Sequence, residues 1–173
     1  ALADPLVEWF RKHKRALPWR EDPSAYRVWV SEIMLQQTRV EAVRPFYARF
    51  MKELPTVEKL AVAEEEKLLK LWEGLGYYNR VRNMQKAARQ IMDEFSGEFP
   101  RQYDQIRSLS GIGSYTAGAI ASFAYGIPKP AVDGNVLRVL SRILASEDDI
   151  MKQSTKTKIE YMLEGVIPKE AAS

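Results

Sequence analysis

The chain has 173 residues, of which 46% are apolar and 28% charged, with a net charge of +3 and no cysteine. That length and apolar fraction suit one sizeable globular domain, or two small lobes sharing a core, and exclude a disordered chain; the absence of cysteine excludes disulfides and thiolate metal sites. The single histidine, His13, stands in the run RKHKR away from other ligand types, so no structural metal is expected, and the mild basic excess (pI 9.1) permits a polyanionic partner without requiring one.

At the start, ALADPLVEWF lacks the basic-then-apolar order of a signal peptide. No apolar run approaches the ~18 residues of a membrane span. An intracellular protein without a membrane partner is expected, in a prokaryotic cytoplasm or nucleoid in preference to a nucleus. Apolar residues then recur at helical spacing: Leu6, Trp9 and Phe10; Val28, Val30 and Ile33; Leu68, Leu69, Leu71 and Trp72; Met84, Ala87, Ala88 and Ile91; Val136, Val139, Leu140, Ile143 and Leu144. Stop signals at Leu17-Pro18, Leu54-Pro55, Gly74-Leu75-Gly76, Ser96-Gly97, Phe99-Pro100 and Gly126-Ile127-Pro128 divide this pattern. About nine or ten short helices result, with no strand pair. Pro45, inside VEAVRPFYARF, either kinks a helix or marks its first turn. No segment reads as a linker, so any lobes pack closely. The end, IPKEAAS, carries no helix stop, as expected of a cut chain.

Three places carry candidate chemistry. In LSGIGSYTAGAI, Leu109 to Ile120, Gly111 and Gly113 allow a tight turn, Ile112 can anchor it inward, and Ser114 can cap the following helix. The exposed amides would suit a phosphate oxygen, although Gly-x-Gly alone favours an ordinary interhelical turn with a glycine cap. Downstream, Asp133 opens the helix of AVDGNVLRVL, where an aspartate is most often an N-cap. Glu32 lies on the otherwise apolar helix VWVSEIML. There it is either salt-bridged at a helix edge, or buried and so paired or held protonated at a cost in stability.

The combination of LSGIGSYTA, a small-residue helix and VDGNV, together with LPWR at Leu17 to Arg20, VWVSEIMLQQTRV at Val28 to Val40 and LWEGLGYYNR at Leu71 to Arg80, resembles the helix-hairpin-helix base-excision DNA glycosylases. Within them it is similar to the adenine DNA glycosylases of MutY type, nearly throughout the chain and in the family's motif order. The resemblance implies an all-α, two-lobed fold. A six-helix barrel with the hairpin would span 19–128, and a second lobe, incomplete because the iron–sulfur segment is absent, would come from 1–18 and 129–173. It implies an enzyme of base excision repair that hydrolyses the bond between adenine and sugar where adenine is mispaired with 8-oxoguanine or guanine. It also implies double-stranded DNA as the partner and a monomeric protein.

Residue by residue, the resemblance assigns Glu32 as the acid that protonates adenine, Asp133 as the carboxylate that stabilises or transiently bonds the sugar carbon, and Asn135 as its neighbour. Tyr115 takes a position where strand-cutting relatives hold a lysine. A phenol forms no Schiff base, which argues for hydrolysis alone. Lys129, near Asp133, is the reservation and is expected to meet phosphate or solvent. Arg15, Trp19 and Arg20 would wall the extruded adenine. Gln37 would enter the base stack, with Leu35 and Thr38 alongside 8-oxoguanine. Tyr77 would insert beside it, Tyr78 turning into the core. Gly111, Gly113 and Ser114 would hold phosphate. Arg80, Arg82 and Lys86 read as a solvated charge run. No cofactor is expected in this chain: the family's [4Fe-4S] cluster belongs to a longer form, of which this would be a fragment, and an alkali cation at the hairpin is compatible with the pattern. The rivals are an endonuclease III-like glycosylase and lyase for oxidised pyrimidines, and a non-catalytic DNA-binding module.

Overall fold

A computed structural model of the chain describes residues 3–168, and among them are eleven α-helices and no strand. In order these are α1 (Ala3–His13), α2 (Pro18–Glu21), α3 (Ala25–Leu35), α4 (Val40–Glu53), α5 (Val57–Ala61), α6 (Glu65–Trp72), α7 (Asn79–Glu94), α8 (Tyr103–Ser108), α9 (Ser114–Tyr125), α10 (Gly134–Ile143) and α11 (Gln153–Glu164). The count exceeds the sequence expectation because Leu17-Pro18, read as a stop, also starts the single turn α2: Pro18 sits in its first turn, where a missing N–H costs nothing. Side chains cap the helices where the sequence offers them. Ser24 accepts from the Arg27 N–H and Thr56 from the Lys59 N–H, each at 3.3 Å. Pro45 falls inside α4, past its first turn, and removes the ladder bond its N–H would have made.

Helix α3 runs through the principal core. From Ala25 to Met34 only Arg27 escapes burial, and Trp29 and Met34 are fully enclosed. Phe50, Trp72, Ile91, Ile106 and Ile120, from α4, α6, α7, α8 and α9, are fully buried in the same core, and α4 and α9 pack directly on α3. Each such side chain contributes ~1.5–3 kcal/mol by leaving water. Helix α9 is buried from Thr116 to Ser122 on residues no larger than isoleucine, which lets its neighbours approach closely. At Gly118 a Cβ would collide with the Pro130 carbonyl oxygen and stand 2.8 Å from its carbon. The chain between α9 and α10 therefore lies directly on the helix backbone.

Val132, Leu137 and Ile159 form a second, much smaller core with α10 and α11. Helix α1 buries no residue; Trp9 stacks on His13 at 5.0 Å and is 56% exposed. Among the described residues no helix is long and apolar enough to cross a membrane. The tail of IPKEAAS, 169–173, lies outside the described residues.

Candidate functional site

Glu32 is 9% exposed on α3 and makes no salt bridge among the described residues, so of its two readings the structure takes the buried one. Burial pushes its carboxyl above the ordinary glutamate range, and the charge of Asp133 pushes the same way. The Tyr115 hydroxyl and the charge of Arg20 oppose this without cancelling it. The carboxyl therefore keeps its proton to a higher pH than a free glutamate does. Tyr115, in the first turn of α9, stands beside Glu32; burial, then the charge of Glu32, holds that phenol well above its usual range. Asp133 acts electrostatically on both. Two carboxyls and a phenol, far apart in sequence, thus lie within electrostatic reach of one another.

Asp133 is also the N-cap of α10. Its Oδ1 accepts from the Val136 N–H at 2.9 Å, leaving Oδ2 to accept from Asn135 Nδ2 at 3.0 Å. Asn135 in turn accepts from Arg138 at 3.1 Å. The carboxylate is oriented by two donors, and the extended Pro130–Val132 segment lying on Gly118 carries it toward Glu32.

In the hairpin, Ile112 is buried as its anchor and Gly111, at φ 75°, presses so closely on α7 that a Cβ would come within 2.8 Å of Asn83 Cβ. Ser110 gives its N–H to Gln90 Oε1 at 2.8 Å, a brace on α7 with no signal in the sequence. Ser114 does not cap α9. Gly113 takes the N-cap position with extended backbone, Ser114 is the first helical residue, and no side chain satisfies the first amides. Gly111 and Gly113 are exposed, and the N-terminus of α9 keeps free donors there.

Helix α3 ends in a turn where Gln37 is exposed at φ 60°, Leu35 packs half-buried on the core and Thr38 stands partly exposed beside it. In the turn after α6, Leu75 takes the core position and Tyr77 stands 70% exposed at φ 47°. Tyr78, expected in the core, is 39% exposed. Positive φ at both Gly76 and Tyr77 swings the chain outward before α7 begins. Arg80 departs from the solvated reading as well: it is half-buried, and its guanidinium donates to four backbone carbonyls. Arg82 remains at the surface, paired with Glu65 at 2.9 Å, and Lys86 is exposed.

Trp19 sits in the core, edge-on to Tyr47 at 5.2 Å and only 5% exposed. Arg20 is exposed above the Phe10 ring and acts on Glu32; partial burial, then the charge of exposed Arg15, holds its pKa down. Lys129, expected to meet phosphate or solvent, instead bonds Glu164 at 2.7 Å and lies over the Tyr103 ring at 5.0 Å. Its amine is thereby held by α8 and α11. Among the described residues no group of three or more His, Asp or Glu side chains could hold a metal ion.

Residues 30–169 match the family described as HhH-GPD superfamily base excision DNA repair protein. The chain is 47% identical to the adenine DNA glycosylase of Rattus norvegicus over 149 residues, 81% of this chain and 29% of that protein. It is 43% identical to that of Buchnera aphidicola (strain Bp), covering 79% of this chain and 39% of that one. It spans less than half the length of such relatives. A non-covalent endonuclease III–DNA complex is similar in structure at TM-score 0.79 and 27% identity, over 97% of this chain and 76% of that one.

Proposed function

From membership of the HhH-GPD superfamily of base excision DNA repair proteins, to which this chain belongs, we propose that it is a DNA glycosylase that hydrolyses the adenine–sugar bond where adenine is mispaired with 8-oxoguanine or guanine. The observation that carries the reading is Glu32 buried on α3, its carboxyl raised above the ordinary range, with Tyr115 beside it and Asp133 within electrostatic reach. Breaking a purine glycosidic bond needs a proton on the departing base and a negative charge against the cationic sugar. Glu32 supplies the first and Asp133 the second, held by Val136 and Asn135. The base leaves neutral with the electron pair of the broken bond, and water adds at the cationic sugar carbon, giving its proton to the Glu32 carboxylate. Tyr115 keeps its proton and positions Glu32.

The adenine reaches this site only if it leaves the helix. Gln37 and Tyr77, both exposed at positive φ, fill the gap, with Leu35 and Thr38 beside the oxidised partner base. An aromatic face recovers ~1–3 kcal/mol of lost stacking per base. Arg15, Trp19 and Arg20 border the adenine pocket, Trp19 from within the core. The free amides around Gly111, Gly113 and Ser114 hold phosphate, with room for an alkali cation at the turn. On this reading 19–128 forms the barrel and the flanking segments the second lobe, of a monomer acting inside the cell on double-stranded DNA.

The test is incubation with duplexes carrying adenine opposite 8-oxoguanine, guanine or thymine, with strand breaks scored before and after alkali. Breaks only after alkali, most with the oxidised partner, are expected. Breaks without alkali, or a protein–DNA adduct trapped by borohydride, would establish an amine nucleophile and refute the proposal. Asp133→Ser separates that residue's two tasks. Serine caps about as well as aspartate, so the melting temperature is expected to stay within a few degrees while base release is lost. Retained release would reduce Asp133 to a helix cap.

A further inference from the structure

The two turns that carry Gln37 and Tyr77 belong to different helices, and one side chain joins them. Arg80 Nη1 donates to the carbonyls of Ile33 at 2.8 Å and Gln36 at 2.7 Å, both at the end of α3. Its Nη2 donates to Leu75 at 2.9 Å and Gly76 at 3.2 Å, in the turn before Tyr77. The guanidinium carbon lies over Trp72 at 5.4 Å and over Tyr77 at 5.7 Å, and Trp72 Nε1 donates to the Gly76 carbonyl at 3.0 Å. Each joined turn contains a non-glycine residue at positive φ, 60° at Gln37 and 47° at Tyr77. Such backbone persists only where its surroundings over-determine it. A cation at the C-terminus of α3 also meets the negative end of the helix and its unpaired carbonyls.

We infer that Arg80 is a positioning residue that locks the Gln37 and Tyr77 turns into a single two-pronged unit, so that both prongs enter the duplex at a fixed spacing. This rests on the proposed adenine release. Only arginine has the planar fork to serve two carbonyls on each side; lysine keeps the charge as a single point and bridges one turn at most. The inference gives Arg80 no contact with the base. It acts through Gln37 and Tyr77.

The experiment compares wild type with Arg80→Lys and Arg80→Gln in three measurements. In single-turnover base release from adenine opposite 8-oxoguanine, a ~10²-fold loss is expected, the size of effect that a misplacement of about 1 Å produces. With 2-aminopurine in place of the adenine, the fluorescence rise on extrusion is expected to shrink in proportion. In the free protein, amide exchange is expected to quicken at 36–38 and 75–78 while the interior of α3 and α9 keeps its protection. Wild-type rate and wild-type exchange in both variants would overturn the inference, as would global unfolding of both, which would make Arg80 a support of the core. A wild-type chain that releases no adenine, with local exchange quickened in the variants, supports the lock and refutes the adenine reading, so the two fail separately.

Discussion

Glu32→Gln is expected to lower single-turnover base release by ~10²–10⁴-fold, the range a positioned proton donor contributes, with duplex binding largely retained. Glutamine keeps the shape of the side chain beside Tyr115, but has no acidic proton to give. A second consequence follows from burial. A carboxyl whose pKa is raised in the folded chain binds its proton more tightly there than in the unfolded chain. The stability it contributes is fully present below the ordinary glutamate value of about 4.3 and is lost as pH rises through the raised value. Any ionised fraction of buried Glu32 at pH 7 therefore weighs against folding, and glutamine relieves it. The variant is expected to melt at or above wild type at pH 7, by about 2–4 °C for each kcal/mol relieved in a chain of this size, with the gap closing at acid pH. Circular dichroism melts across pH and a quench assay of base release test both halves. Melting well below wild type at pH 7, or release at the wild-type rate, would sink the assignment.

Gly118→Ala is the other large effect, and it starts from one methyl group. The new Cβ would collide with the Pro130 carbonyl oxygen and stand 3.3 Å from Ala131 Cα, both backbone atoms that no rotamer change can move. Either α9 shifts within the principal core or the Pro130–Val132 segment lifts off it. Overpacking of this kind costs ~1–3 kcal/mol, so the melting temperature is expected to fall by about 2–4 °C per kcal/mol. Because that segment carries Asp133 toward Glu32, release is expected to drop by a further ~10²-fold among molecules that remain folded. Thermal melts paired with single-turnover rates separate the two losses. Wild-type values in both would show that α9 and the segment tolerate separation.

The helices were legible because their apolar spacing and their punctuation agree: Val30, Leu68, Met84 and Ile91 were all readable as inward-facing and all are buried. The family could be read from motif order, and with it the expectation that Glu32 and Asp133 meet. What stayed hidden depends on contacts between distant segments. Nothing local tells Arg80 from Arg82, yet one binds four carbonyls and the other pairs with Glu65 at the surface. Tyr77 and Tyr78 are the same residue type, and only the positive φ at Gly76 and Tyr77 decides that neither reaches the core. The Ser114 expectation failed for a local reason: extended backbone at Gly113 takes the cap position one residue earlier. Gly118 looked like one of several small residues on α9, and its importance exists only once Pro130 lies against it.

If the chain binds DNA as proposed, the Lys129–Glu164 pair, about a third and two-fifths exposed, bears on how that affinity responds to ionic strength. It fastens the segment before Asp133 to α11, and a pair so open to water contributes ~1 kcal/mol at most and is screened by added electrolyte. Rising salt therefore slackens this joint between the large and small cores at the same time as it weakens phosphate contacts. The slope of binding against salt concentration then counts more than the cations released from DNA; part of it measures the protein coming loose at its own seam.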